Sequence, residues 1–177
     1  MINIREANKS DYKQICQLVT SEQELSMFFP KGRFPFSVDQ LEQLAEVRHA
    51  LTVLTENERV VGFADLYNLK PAASVFIGNV IISPESRRRG FGKLIVNHML
   101  ELIFRVYQLP EARISVFNSN TPALLLYHRL GFVPYAMEER CDHLGQRLVL
   151  LHLHKHRDSG TSASGTCQDS GCRPDTR

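Results

Sequence analysis

The chain has 177 residues, 43% of them apolar and 23% charged, with a formal net charge of +2. That length bounds it to one domain able to bury a proper core. The near balance of charge excludes a strong global pull toward nucleic acid or an acidic membrane surface, and no apolar run reaches the roughly 18 residues of a membrane helix.

In chain order, 1–13 is polar and lacks an apolar signal stretch, which makes a cytoplasmic location the expectation. Residues 2–6 alternate as a strand. Ser10 is placed to cap a helix over 11–19, with Tyr12, Ile15, Leu18 and Val19 on one face. The segment 21–36 reads as irregular, broken by Pro30, Gly32 and Pro35, and rich in Leu25, Met27, Phe28, Phe29, Phe34 and Phe36. Ser37 and Gln40 have capping-box spacing for a helix ending near His49. Residues 51–55 and 60–66 read as a hairpin around Glu56-Asn57-Glu58.

The run 75–82 is apolar on both faces except near Asn79, the pattern of a central strand. A helix is expected over 90–107, with Leu94, Ile95, Leu102, Ile103 and Val106 at helical spacing. A short strand follows over 113–117. Asn120 or Thr121 caps the next helix, which has Pro122 in its first turn and Gly131 as its stop. Strands over 133–137 and 147–154 close the pattern. The order β-α-α-β-β-β-α-β-α-β-β predicts an α/β (α+β) fold, with a mixed, mostly antiparallel central sheet flanked by helices.

The domain is expected to span 1–157. Residues 158–177, dominated by Gly, Ser, Thr, Asp and Pro, read as a disordered polar tail. Cys16, Cys141, Cys167 and Cys172 include no C-x-x-C pair, so unpaired thiols are expected rather than zinc or a redox centre.

Two segments carry the chemistry. In the first, Val80-Ile81-Ile82 leads through a turn into Arg87-Arg88-Arg89-Gly90-Phe91-Gly92-Lys93 at the start of a helix. A helix N-terminus leaves backbone N–H groups without partners, and its dipole attracts anions. Gly90 and Gly92 remove side chains from the approach, and the arginines add planar donor forks. The bland alternative is a solvated basic turn. In the second segment, Asn120 opens a helix that carries Tyr127 and ends at Gly131-Phe132. A free phenol has a pKa near 10, close to that of an alkyl thiol, so it can protonate a departing thiolate. A tyrosine at helical spacing can equally be core.

Together the two segments resemble the cofactor-binding signatures of the GCN5-related N-acetyltransferase (GNAT) superfamily. Arg87, Gly90 and Gly92 match its Arg/Gln-x-x-Gly-x-Gly/Ala signature. Asn120, Ala123, Leu126-Tyr127 and Gly131-Phe132 match the second. The element order follows the family from Ile2 to about His154. The resemblance implies an acetyl-CoA-dependent N-acetyltransferase in which an amine attacks the thioester directly. It implies that Val80, Ile81 and Ile82 hold the pantetheine arm and that the amides of Arg88 to Lys93 hold the pyrophosphate. Asn120 would line the pantetheine or thioester end, Tyr127 would be the general acid, and a backbone N–H near Ile81 or Ile82 would polarise the carbonyl.

The family often carries a glutamate base on its fourth or fifth strand. Phe76 and Ser115 stand at those places and cannot serve, which leaves Asp65, Glu24, Glu22 or a water chain. The acceptor is expected to be a small amine, an antibiotic amine or a peptide N-terminus, recognised by 21–36 and 138–147. Homodimerisation is a family habit. His152, His154 and His156 share one face of a strand read as an edge, where a polar face is a simpler reading than a metal site. Without a second basic cluster, no nucleic-acid partner is expected. Two other classes stay open: a coenzyme A-binding module without transfer activity, and a dimeric scaffold.

Overall fold

The computed structural model describes residues 1–142 and 144–158. Apart from Asp158, the expected polar tail lies outside the described residues, as do Cys167 and Cys172. Strands β1 (Ile2–Glu6), β2 (His49–Glu56), β3 (Arg59–Lys70), β4 (Ser74–Ile82), β5 (Glu111–Phe117), β6 (Val133–Cys141) and β7 (Arg147–His156) form one sheet in the order β1-β2-β3-β4-β5-β7-β6. All neighbours are antiparallel except β4 and β5. A parallel pair needs a crossover, and α4 (Phe91–Glu101) supplies it.

Side chains alternate along each strand, so the sheet serves two cores. On one face, α1 (Tyr12–Gln17), α2 (Glu22–Phe28) and α3 (Val38–Ala45) bring Ile15, Leu25 and Leu41 against Val53, Phe63 and Ile81. On the other, α4 and α5 (Thr121–Arg129) close over Leu54, Ala64, Leu66, Ile77, Ile114 and Val116. Ile95, Met99 and Phe132 are essentially solvent-free in that second core, each contributing about 1.5–3 kcal/mol by burial. No helix among the described residues is long and apolar enough to cross a membrane.

Several local readings change. The first helix is capped not by Ser10 but by Asn8, whose side chain accepts from the Ser10 N–H (2.9 Å) at the start of a 3-10 turn. Asp11 turns inward to take two bonds from Arg5 (2.7 and 2.8 Å), and the α-helix ends at Gln17. The supposedly irregular segment 21–36 contains α2, because Ser21 Oγ accepts from the Glu24 N–H (3.1 Å). Helix α3 stops at Ala45, and His49 already belongs to β2. The helix expected to Tyr107 is α-helical only to Glu101 and continues as a π-turn over Leu102–Val106. Strand β7 is internal; β6 forms the edge. The hairpin between β2 and β3 turns on Asn57 and Glu58, both left-handed (φ +48° and +68°).

The feature that makes a site is a bulge in β4. Phe63 pairs with Ile81 and Asp65 with Gly78, so Asn79 and Val80 together face the single residue Ala64. Asn79 takes φ +51°, a conformation that asparagine tolerates better than most residues. A bulge bends and twists its strand. Pairing between β4 and β5 runs only from Ser74↔Glu111 to Ile77↔Ile114, and the two strands separate beyond it.

Candidate active site

A cavity of about 880 Å³ fills the split. Gly78, Asn79 and Val80 form one wall, and Ser115, Val116 and Phe117 the other. Asn120 and Tyr127 border it, as do Met27, Phe28, Phe29 and Pro30 at and beyond the end of α2. The aromatic segment is divided between core and cavity lining. Phe36 is buried, Phe28 and Phe29 meet its ring at 5.7 and 6.1 Å, and their remaining surface borders the cavity.

Asp65 lies behind the β4 wall and is fully buried. Asn79 Nδ2 donates to its Oδ2 (2.5 Å) and Arg48 Nη1 to its Oδ1 (3.3 Å), while the Arg48 guanidinium lies 4.3 Å from the Tyr67 ring centroid. Burial pushes the Asp65 carboxyl up to about 6, against the opposing pull of Arg48 and Asn79. Gly78 has to be a glycine: a Cβ there would lie 2.7 Å from Asp65 Oδ1 and 2.7 Å from Tyr67 Cδ1.

The basic loop leads into α4. Gly90 caps it at φ +85°, with open space where a Cβ would stand. The Leu94 N–H bonds to Gly90 O (3.1 Å), which leaves the amides of Phe91, Gly92 and Lys93 without helical acceptors. Gly92 has a different reason, since its Cβ would press on Leu126 Cδ2 at 3.1 Å where α4 approaches α5. Two of the three arginines are not the free cations expected. Arg87 pairs with Glu24 (2.6 Å) and donates to Ile82 O (3.1 Å). Arg89 makes two bonds to Glu56 (2.8 and 2.5 Å) and lies over the Phe91 ring. Arg88 is exposed, at φ +62°. The side chains of Ile81 and Phe91 are core, so only their backbones are available to a ligand.

Asn120 Oδ1 accepts from the Ala123 N–H (3.3 Å), so this residue both caps α5 and borders the cavity. Tyr127 is 5% exposed, its ring meets Phe132 edge-on, and it borders the cavity. Burial raises that phenol well above its ordinary pKa, so it stays protonated. Of the other carboxylates, Glu24 is held by Arg87 and Thr20, and its carboxyl lies below the usual range despite burial. Glu22 is exposed on α2.

One constellation escaped the sequence reading. Ser115 Oγ lies 2.8 Å from His152 Nδ1, and His152 Nε2 lies 3.1 Å from Glu138 Oε1. The only signal was the period-two spacing of the histidines; the partners meet through strand register, in which Ser115 pairs with His152 and His152 with Ala136. Further along the same face, a Glu111 carboxylate oxygen and ring nitrogens of His154 and His156 lie within 4.8 Å of one another, with Arg113 paired to Glu111 at 2.5 Å.

The sequence model of the acetyltransferase (GNAT) family matches residues 14–132. The chain belongs to this family. It is an acetyl-CoA-dependent N-acetyltransferase with the GNAT fold. The spermidine N(1)-acetyltransferase of Vibrio cholerae is 26% identical over 141 residues, covering 75% of this chain and 79% of that protein. The crystal structure of a Vibrio cholerae spermidine N-acetyltransferase with CoA and spermine superposes with a TM-score of 0.74, at 21% identity over 88% of this chain and 95% of that one. The ribosomal-protein-S18-alanine N-acetyltransferase of Escherichia coli does so at 0.71, with 18% identity over 96% and 100% of the two chains. These two structures share the fold. The GNAT cosubstrate fits the residues present: the open cradle over Gly90, the free amides of Phe91 to Lys93 and the split beside Val80 can accept a pyrophosphate and its extended arm.

Proposed function

We propose that this acetyltransferase acts on an α-amino group, that of a peptide N-terminus or an amino-acid derivative, within the split between β4 and β5. Acetyl-CoA supplies the activated acetyl group. The amides of Phe91, Gly92 and Lys93, with the Arg88 loop, hold the pyrophosphate at the positive end of α4. The backbone of Val80, Ile81 and Ile82 extends along the pantetheine arm, and Asn120 borders its end. Tyr127 donates the proton that the departing sulfur needs. The observation that carries this reading is the split beyond the β4–β5 pairing, a cavity of about 880 Å³ bordered by Gly78, Val80, Asn120 and Tyr127.

Two features support an α-amino acceptor. Asp142 is the one carboxylate among the described lining residues, beside Lys31 and the paired Arg48 and Arg140, a lining with little to hold a polycation. An α-amino group, with a pKa near 8, is also neutral for roughly a tenth of molecules at pH 7, far more than an alkylamine.

The test is calorimetric titration with acetyl-CoA of the protein and of Gly90→Asp, followed by thiol-release assays with an alanine-initiated peptide and with spermidine. Aspartate tolerates the left-handed backbone but places a negative charge at the helix N-terminus. Binding that the variant loses, with release favouring the peptide, supports the proposal. Equal binding by the variant refutes the phosphate loop, and preference for spermidine refutes the acceptor.

A further inference from the structure

An amine bound as an ammonium must lose a proton before it can attack, and the carboxylates of the site are badly placed to take it. Glu24 is engaged by Arg87, and Asp65 is sealed behind Arg48 and Asn79. Resting on the acetyl-transfer reading above, we propose that Ser115, His152 and Glu138 form the proton-accepting relay for the amine, with Ser115 touching the nitrogen and His152 receiving the proton through it.

The geometry sets the direction of transfer. Ser115 borders the cavity on β5; His152 stands beside it on β7, and Glu138 follows on β6. An ionised carboxylate only accepts, so the Glu138 contact at 3.1 Å places the ring hydrogen on Nε2. The Nδ1 lone pair then faces the Ser115 hydroxyl at 2.8 Å. Arg140 Nη2 anchors the same Glu138 oxygen at 2.7 Å. Phe76 stands edge-on to the imidazole at 6.3 Å, and Tyr135 packs on it at 6.1 Å. A carboxylate that fixes the tautomer and balances the imidazolium is how a histidine is set to act as a base through a hydroxyl.

In the step, one ammonium proton moves to Ser115 Oγ as the Ser115 proton moves to His152 Nδ1. With a fifth of its side chain exposed, His152 passes that proton to water. The freed nitrogen lone pair forms the N–C bond, the C–S bond breaks with its electron pair on sulfur, and Tyr127 protonates the sulfur. The second N–H proton, lost as the amide forms, leaves by the same Ser115–His152 route to water, and the Tyr127 phenolate recovers a proton from solvent. Glu138, Arg140, Tyr135, His154, Tyr67 and Arg113 are the titratable or charged groups gathered around this ring and its serine.

The test measures kcat/KM for thiol release against pH, with an alanine-initiated peptide and with hydroxylamine, which is already neutral at pH 7 and needs no base. Ser115→Ala, His152→Gln and Glu138→Gln are compared with the unsubstituted protein, whose ring tautomer is read by nitrogen NMR without acetyl-CoA. The relay predicts an Nε2–H tautomer, a loss of about tenfold at pH 7 with the peptide in His152→Gln, an acidic limb moved up to the amine's own pKa near 8, and a much smaller loss with hydroxylamine. Equal losses for the two amines, an unchanged acidic limb or an Nδ1–H tautomer would overturn it. Failure of the unsubstituted protein to bind acetyl-CoA would instead remove the acetyl-transfer reading, and the relay with it.

Discussion

Arg48 Nη1 lies 3.3 Å from Asp65 Oδ1, pairing a guanidinium that borders the cavity with a carboxylate that solvent does not reach. The pair holds Arg48 against Tyr67 and, through Asn79, ties the wall of the cavity to β3. Its carboxyl is raised by burial from 3.8 to about 6. The folded state therefore holds this proton more tightly than the unfolded chain does. The associated stability is full below about pH 4 and is lost as pH rises through about 6, of order 1–3 kcal/mol. Asp65→Asn should remove that loss, at a pH-independent cost from the unpaired Arg48. Between pH 4 and 6.5 the melting temperature of the variant should rise more steeply than that of the unsubstituted protein. Parallel curves would assign the titration to another group.

Tyr127→Phe should lower turnover by about 10²–10⁴-fold if the phenol is the proton donor, while acetyl-CoA affinity changes little. The ring keeps its packing on Phe132 in the variant, so the melting temperature should change little. Unchanged turnover, with chemistry as the slow step in single-turnover experiments, would take Tyr127 out of the mechanism.

Arg87 and Arg89 are paired with Glu24 and Glu56. Glu24→Gln or Glu56→Gln would release a guanidinium beside the loop that we assign to the pyrophosphate. Each should tighten acetyl-CoA binding severalfold at low salt, with the gain shrinking at high salt as screening grows. Stability should change little, because both pairs are partly exposed and screened by solvent. Affinity independent of salt in these variants would mean that the arginines act only as struts.

Gly90 and Gly92 should respond differently in urea unfolding. At Gly90 the obstacle is φ +85°: Gly90→Val should cost about 1–2 kcal/mol and Gly90→Asn distinctly less. At Gly92 the obstacle is Leu126, so Leu126→Ala should relieve part of the cost of Gly92→Val. Identical rank orders at the two positions would contradict this division.

The sheet, the crossover and both signatures were legible because each rests on local patterning: alternation along Val75 to Ile82, helical spacing from Leu94 to Val106, and caps at Ser37 and Asn120. The first helix was misread because Asn8 and Ser10 both have capping side chains, and only the turn of Asp11 toward Arg5 decides between them. Helix α2 was missed because Pro30, Gly32 and Pro35 drew attention from the Ser21–Glu24 spacing. The pairing of Arg87 with Glu24 spans 63 positions, and that of Ser115 with His152 spans 37. The first depends on how α2 meets the loop before α4 and the second on strand register, neither of which a single sequence encodes locally. The bulge left only one trace, a polar asparagine within an apolar strand.

That asparagine leaves the architecture one residue away from a different object. Deleting Asn79 would restore one-to-one register with β3 and swing the remainder of β4 toward the side of β5. The strands could then zip together past Ile77 and Ile114, and the cleft would close on itself. The product would be a more regular β3–β4 ladder with no cleft beside β5. On the function proposed above, the room for a substrate is held open by one extra residue in a strand.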